Sequence, residues 1–600
     1  MDMPNLDTMR HSAAHVMAAA IRRLFPGAKF GVGPVVENGF YYDIDIGRAV
    51  TPDDLKKIKD EMIAITKENP VFERVEMPID EAIALFEGMG QTYKVELLKD
   101  LKTRGTTAVS AEESGDLDPA NVSSVSVYKT GDFTDLCRGP HVEKAREIGQ
   151  AWKLNKIAGA YWRGKAENPQ MQRIYGLCFE TKEELAAYET MMAEAEKRDH
   201  RKLGAELDLF AFSQLVGSGL PLFTSKGAML RQLLTDFIWE LMKPHGYERV
   251  WIPHIAKADL YKTSGHWDKF EDDLFHVSSK KTDDTFVLKP MNCPHHTQVY
   301  ASKPRSYRDL PIRMSEVTTV YRDENTGQLA GLTRVRSITQ DDAHVFCRPD
   351  QIMDEVLKIY DIAEKFYAAF GMSFHQIRLS VRDPEHPEKY LGGPDVWDSA
   401  EKTLGDAMKK LGKEVVIGEG EAAFYGPKLD FMTKDAIGRE WQLATIQLDF
   451  NLPERFGLEY ADADGEKKRP VMVHRAILGS VERFMGIMIE HYAGAFPAWL
   501  APVQVRVLNV AERHAEFAQR LTQELRDAGV RAECDDTNET VGKKIRNASA
   551  MKVPYALVVG DKESEGGDLT VRIRGQEEQV AMPTQAFINR VLAESKERKA

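Results

Sequence analysis

Within residues 227–254 the apolar side chains Met229, Leu230, Leu233, Leu234, Phe237, Ile238 and Leu241 recur at helical spacing, so the pattern predicts a helix packed by one face. Gly246 stops it, and ERVWIP (248–253) reads as a strand ending at Pro253. Residues 313–344 change period. A strand-like run ends at Tyr321-Arg322-Asp323-Glu324, a loop carries Gly327 and Gly331, and a second strand-like run follows. Strict alternation along that run would put Arg334, Arg336, Ile338, Gln340, Asp342 and His344 on one face. Such a face is costly to bury without a partner, and lining a ligand pocket suits it better than a surface ladder of charges. The opposite face, Val335 to Ala343, is no more apolar.

Further along, HRAILGSVERFMG (474–486) places Arg483 inside an otherwise apolar helix. A buried arginine wants an anion; an ion pair with a nearby glutamate is the plainer alternative. After a Pro-rich break at 493–503, the strand-like VQVRVLNV, a helical stretch (511–528), a second one near 541–551 and the strand YALVVG alternate over about 100 residues, which predicts a small α/β domain with a largely parallel sheet. The Glu-, Lys- and Ala-rich stretch 181–206 reads as one connecting helix.

The length of 600 residues implies several domains. Hydrophobic content of 43% and charged content of 29% are those of a globular chain. No apolar run approaches the ~20 residues of a membrane helix, and the N-terminus lacks the basic start of a signal peptide. Five scattered cysteines make no disulfide framework and suit a reducing compartment, the cytoplasm. The net charge of −13 argues mildly against a generic nucleic-acid binder, although a local basic surface can act within an acidic whole.

Taken together, the helix–strand segment ending in Pro253, the Arg322-Asp323-Glu324 element and the Gly479…Glu482-Arg483 element resemble the three signature motifs of class II aminoacyl-tRNA synthetases. MNCPHH (291–296), QDDAHVFC (340–347), AFYGPKLDF (423–431) and HRAILGSVERF (474–484) are similar to the threonyl branch. The resemblance implies a multidomain α+β and α/β fold: an α+β editing domain at 1–180, a linker helix at 181–206, an antiparallel-sheet catalytic core at 207–497 and an α/β anticodon-binding domain at 498–600. It implies one zinc ion on Cys293, His344 and His474, and Mg2+ with ATP. From spacing alone these three residues would be left as core. Asp342 would accept from the substrate amine, and Tyr425, Lys428, Gln442, Thr445 and Gln447 would complete the pocket. Arg322, Glu324, Arg334, Ile338 and Arg483 would hold ATP, with Gln340 near the reacting groups. Ile338 stands where the family usually has a Phe that stacks on adenine, and Leu443-Ala444-Thr445 where many relatives have Cys-Gly-Thr.

In the N-terminal part, His11 and His15 lie four residues apart on one helix face, and Cys137-Arg-Gly-Pro-His141 follows far downstream. That is the donor inventory of a zinc site. The pattern resembles the editing domain of threonyl- and alanyl-type synthetases, with Tyr42, Lys94 and Asp135 matching further positions. The resemblance implies hydrolysis of seryl-tRNA without bound metal. No ubiquitin-like domain is expected ahead of a motif that begins at residue 11, and 104–126 reads as an inserted polar loop. In the C-terminal part Glu563 and Arg572 would contact anticodon bases, and Arg574 or Lys543-Lys544 the phosphates. The partners implied are tRNA(Thr), ATP, L-threonine and a second copy of the chain, with no membrane. A prolyl-type synthetase would lack the His11–His141 constellation, a regulatory relative the motif arginines, and a lone hydrolase would not need 206–600.

Overall fold

The computed structural model describes residues 5–104, 123–164 and 168–598. Most of the 104–126 stretch therefore lies outside the described residues. The chain divides into two compact units, Met1–Ala193 and Glu194–Ala600.

In the first unit the helix Leu6–Leu24 starts at Asn5, whose side chain accepts from the Asp7 amide. Its alanines Ala13, Ala14, Ala18, Ala19 and Ala20 are all buried, which lets the helix sit deep against an antiparallel sheet. In that sheet Lys29–Phe30, Gly39–Asp45, Gln170–Cys178 and Trp152–Tyr161 lie in this order, with Val35–Val36 added on Gly39–Asp45. Helix Pro52–Glu68 opens with a Thr51/Asp54 capping box and closes on Asn69 in the left-handed region (φ 59°). A second sheet, Phe72–Pro78 with Ser124–Thr130 and Phe133–Leu136, carries helices Ile79–Gly88 and Thr92–Arg104 on a core of Phe86, Leu98 and Val127.

The expected single connecting helix is two: Lys182–Lys197 and His200–Glu206. Asp199 breaks the run because its carboxylate accepts from the Arg201 amide at 2.8 Å and so caps a new helix.

The second unit is built on an eight-stranded sheet. Its order is Glu248–Arg249, Ile312–Tyr321, Ser337–Cys347, Val471–Ala476, Glu440–Asp449, Lys428–Lys434, Phe374–Val381 and Val416–Glu419. The inner pairs are antiparallel and both edge pairs parallel. Helices Ser225–Met242, Ile352–Ala368 and Val481–His491 contribute to one large core with Phe237, Phe366, Phe484 and Leu448. The strand expected at 248–253 is only Glu248–Arg249, and Trp251 beyond it is 78% exposed. The strand expected from Arg334 starts at Ser337, so neither Arg334 nor Arg336 belongs to it. Its other face is polar for a reason: Asp341 is fully buried, and its carboxylate accepts from Arg475 (2.7 Å) and from the Ile477 and Leu478 amides, both at 3.1 Å.

The C-terminal sheet is mixed rather than largely parallel. Ala532–Asp535, Val505–Asn509 and Tyr555–Val559 run parallel, but the hairpin Leu569–Ile573/Gln579–Met582 adds antiparallel strands, because the connection into it holds only the four-residue helix Asp561–Ser564, too short for a parallel crossover. Among the described residues no helix is long and apolar enough to cross a membrane.

Candidate functional site

Sheet register assembles the first site. His344 faces His474, His474 faces Gln447, and Gln447 faces Lys428 across four neighbouring strands. Cys293, first residue of helix Cys293–Ala301, joins this row from outside the sheet. One ligand atom from each of Cys293, His344 and His474 lies within 4.8 Å of the others, and all three residues are buried. His344 Nε2 is 3.0 Å from His474 Nδ1, and His474 Nε2 is 2.9 Å from Asp449 Oδ2. Burial holds His344 far below the ordinary imidazole range and raises the Cys293 thiol.

These residues fit a thiophilic divalent metal such as zinc. One sulfur and two imidazoles make a three-ligand set that leaves a position open. The outer nitrogens already have partners of the sort that orient metal-bound histidines. His344 Nδ1 lies 2.7 Å from His296 Nδ1, while His296 Nε2 and Glu316 Oε2, 4.0 Å apart, are both buried without a hydrogen bond. If His344 turned its proton outward to free Nε2 for a metal, His296 would carry its own proton on Nε2, facing Glu316. The orphaned pair is thus the one such a tautomer would satisfy.

Beside this set, Asp342 accepts from Asn292 Nδ2 at 2.9 Å. Tyr425 donates to Gln447 at 2.7 Å and its ring stacks on His474. Lys428 (2.6 Å), Gln442 (2.6 Å) and Thr445 (2.9 Å) all bond to Asp430, as does Ser380 at 2.9 Å. Asp430 was missed in the sequence, although it sits two residues after Lys428 on the same strand face. Asp449, His296 and Asn292 were missed too; only register and helix packing bring them in.

Arg322 and Arg483 have no carboxylate partner among the described residues. Among the described residues the Arg322 guanidinium finds as side-chain hydrogen-bond partner the Met291 Sδ, a weak acceptor, at 3.4 Å. Arg483 Nε is buried with no hydrogen bond, and desolvation lowers the guanidinium's pKa. The alternative of a pair with Glu482 fails: that carboxylate is taken by Arg231 (2.5 Å) and the Thr339 amide (2.7 Å). Two unneutralised guanidiniums call for an anionic ligand. Glu324 instead holds Arg334, at 2.7 Å. Gln340 bridges to Ser480, the cap of the Arg483 helix, and Ile338 is half-buried opposite Val320.

The second site lies in the first unit, in a cleft of about 660 Å³ whose lining includes His11, His15, Tyr42, Lys94, Asp135 and Cys137. His11 Nε2 and His141 Nε2 approach Cys137 Sγ at 3.2 and 3.3 Å. Their outer nitrogens rest on neutral groups, the Pro140 carbonyl (3.2 Å) and Ser12 Oγ (3.1 Å). Ser12 spends its own proton on the Thr8 carbonyl, so it accepts from His141. Beside them Lys94 pairs with Asp135 at 2.7 Å, and Tyr42 donates to the same carboxylate. His15 Nε2 is 3.7 Å from Asp135. Burial lowers all three imidazoles and pushes the Cys137 thiol up to about 11.

A third cluster, Asp199, His200 and Glu490, has no imidazole nitrogen left: Nδ1 lies 2.6 Å from Glu490 and Nε2 accepts the Leu332 amide at 2.9 Å. It is a strut between the second connecting helix, the loop before Ser337 and the Arg483 helix. In the C-terminal domain Glu563 is buried and already bonded by Thr570 (2.6 Å) and the Gly560 amide (2.9 Å), while Arg572 is half-buried. Two phosphate candidates are occupied otherwise. Arg574 caps the carbonyls of Ala495 and Phe496, and buried Lys544 bonds Asn509 at 2.5 Å.

Comparison with known proteins identifies the domains. Residues 275–492 match the tRNA synthetase class II core domain (G, H, P, S and T), 504–594 an anticodon binding domain, and 125–175 the threonyl and alanyl tRNA synthetase second additional domain. Fold and sites thus define a class II aminoacyl-tRNA synthetase with an appended editing-type domain. The threonine–tRNA ligase of Cytophaga hutchinsonii is 46% identical over 589 residues, 98% of this chain and 88% of that one. That of Gloeobacter violaceus is 47% identical over 98% of this chain and 92% of its own. The RNA binding domain of threonyl-tRNA synthetase from Cryptosporidium parvum superposes with a TM-score of 0.63 at 38% identity, over 66% of this chain and 98% of its own. The chain belongs to the threonyl-tRNA synthetase family.

Proposed function

We propose that the chain ligates L-threonine to tRNA(Thr) through a threonyl-adenylate, and hydrolyses seryl-tRNA(Thr) at the His11–Cys137 cleft. The observation that carries the first half is the convergence of Cys293, His344 and His474 beside Asp449 and Asp342. Zinc held there would supply a Lewis-acidic point with open positions for an amine and a hydroxyl. Asp342 would accept from the substrate amine. Tyr425, Lys428, Gln442, Thr445 and Gln447, fixed through Asp430, would close the pocket. Valine offers no hydroxyl, and a site that must satisfy one rejects such an analogue strongly.

Arg322 and Arg483 would neutralise ATP carried with Mg2+, Arg322 at the α-phosphate and Arg483 at the far end, while Gln340 lies near the reacting groups. Glu324, Arg334 and Ile338 would line the nucleotide, with aliphatic contact on adenine in place of stacking. Serine keeps both polar groups and lacks one methyl, worth only ~1–3 kcal/mol, so the first site alone cannot exclude it. In the cleft, the neutral imidazoles of His11 and His141 would take a proton from water as it attacks the seryl ester carbonyl and return it to the ribose oxygen that leaves as the acyl C–O bond breaks, with the neighbouring terminal ribose hydroxyl helping to place the water and Lys94 positioned for the developing oxyanion. Editing here would need no metal.

The same reading assigns 1–180 to editing, 181–206 to the linker, 207–497 to the core and 498–600 to the anticodon domain, where Glu563 would exchange its internal partners for a base alongside Arg572. Exposed Met229 on the Ser225–Met242 helix and Trp251 just beyond it support a homodimer through that segment, and the reading assigns the enzyme to the cytoplasm. Amino-acid-dependent ATP–pyrophosphate exchange tests the core claim. Activation of threonine, weaker activation of serine and none of valine is expected. No exchange from a folded, zinc-loaded sample would refute it.

A further inference from the structure

A second groove in the first unit, of about 580 Å³, shares no lining residue with the His11–Cys137 cleft. Four charged side chains line it, Lys59, Lys67, Arg146 and Lys182, and all are cations. Composition does not explain this, because acidic residues outnumber basic ones 93 to 80 in the chain. None of the four is paired with a carboxylate among the described residues. Arg146 donates to the Lys67 carbonyl at 3.3 Å, and Lys182 to Gln150 at 2.6 Å.

Helix Pro52–Glu68 sorts its charges to produce this surface. Glu61 and Glu68 turn to Arg23, at 3.1 and 2.7 Å. Lys59 and Lys67, eight residues apart on another stripe, border the groove some ~12 Å from each other along the helix axis. The end of that helix explains part of Arg146's placement, since the terminal carbonyls favour a cation. It does not explain Lys59 or Lys182. Trp152 forms part of the lining but is only 8% exposed, so the groove offers no platform for stacking a base. Unpaired cations without a stacking face suit a sugar–phosphate backbone, contacted without reading its sequence.

We propose that this groove binds the phosphate backbone of the tRNA whose 3′ end is edited in the His11–Cys137 cleft. The proposal rests on the editing reading above. Each lysine or arginine that meets a phosphate releases a counterion, so binding here must be salt-dependent.

The test compares wild type with the Lys59→Gln/Lys67→Gln/Arg146→Gln/Lys182→Gln variant. tRNA affinity is measured across a potassium chloride series, together with deacylation of seryl-tRNA. The expected result is at least ~10-fold weaker binding at low salt and a log–log salt slope shallower by about 2–4. Threonine-dependent ATP–pyrophosphate exchange, which needs no tRNA, stays unchanged, and so does hydrolysis of a seryl-adenosine ester. Loss of seryl-adenosine hydrolysis in the wild type would overturn the editing reading rather than the groove. Unchanged affinity and slope in the folded variant would overturn the groove. So would retained tRNA binding with loss of binding to a polyglutamate peptide, which would mark a site for an acidic protein segment. If the fourfold variant melts early, Lys59→Gln/Lys67→Gln decides. Both side chains are exposed, the slope is expected to fall by about 1–2, and an unchanged slope overturns the proposal.

Discussion

The two Cys/His clusters hold nearly the same donors and differ in what stands behind them. In the core, His474 leans on Asp449 and Asp342 lies close to His344, so carboxylates surround the convergent ligand atoms. In the N-terminal unit the outer nitrogens of His11 and His141 rest on a carbonyl and a hydroxyl, and, among the described residues, the one carboxylate near the cluster, Asp135 at 3.7 Å from His15, is already paired with Lys94 at 2.7 Å. A negative surround favours a divalent cation; an ammonium beside neutral orienting groups disfavours one and leaves free imidazole bases. On the proposed reading, donor identity alone does not separate the zinc site from the hydrolytic one; the charge of the next layer does.

The sharpest way to break this contrast is to remove a core donor. Cys293→Ser or His474→Ala is expected to lower threonine-dependent pyrophosphate exchange by ~10³-fold or more, several kcal/mol of lost stabilisation, while deacylation of preformed seryl-tRNA persists. Next in size, His11→Ala or Cys137→Ala should slow that deacylation by ~10²–10⁴-fold and leave exchange and zinc content alone; a parallel fall in zinc content would contradict the contrast. Asp449→Asn should weaken zinc binding by ~10–100-fold, with His296→Gln at the lower end, read by competition with a chelating dye.

The smallest effect is in pH. Burial lowers His11, His15 and His141 below the ordinary 6.5, so they are neutral bases above that value. The unfolded chain therefore binds more protons below pH 6.5, and the first unit is expected to lose stability as pH falls there, not as it rises. Deacylation should be flat from 6.5 to 8, because Cys137, held near 11, stays a thiol. A rise across that range would point to a thiolate or to metal-bound hydroxide.

Much of the fold was legible because periodicity marks amphipathic elements: the helix that Gly246 stops, the strand ending at Tyr321 and the strand that follows the Gly327–Gly331 loop, and the α/β character after residue 503. The misreadings have local causes. Asp199 caps a new helix inside a helix-forming run, and the final hairpin reverses a sheet that began parallel. Candidate donors could be named from motifs, but His344 and His474 are 130 residues apart, and only register sets them face to face. Asp430 and Asp449 were invisible because a lone aspartate in an apolar strand announces no partner. Arg574 looked like a phosphate ligand until its backbone partners appeared.

The most direct measurement is chelation with both activities read on one sample. Dialysis against a strong zinc chelator should remove about one zinc per chain, abolish threonine-dependent exchange and leave seryl-tRNA deacylation intact, with exchange restored by added zinc. Loss of deacylation together with exchange, or two zinc ions per chain, would contradict the account.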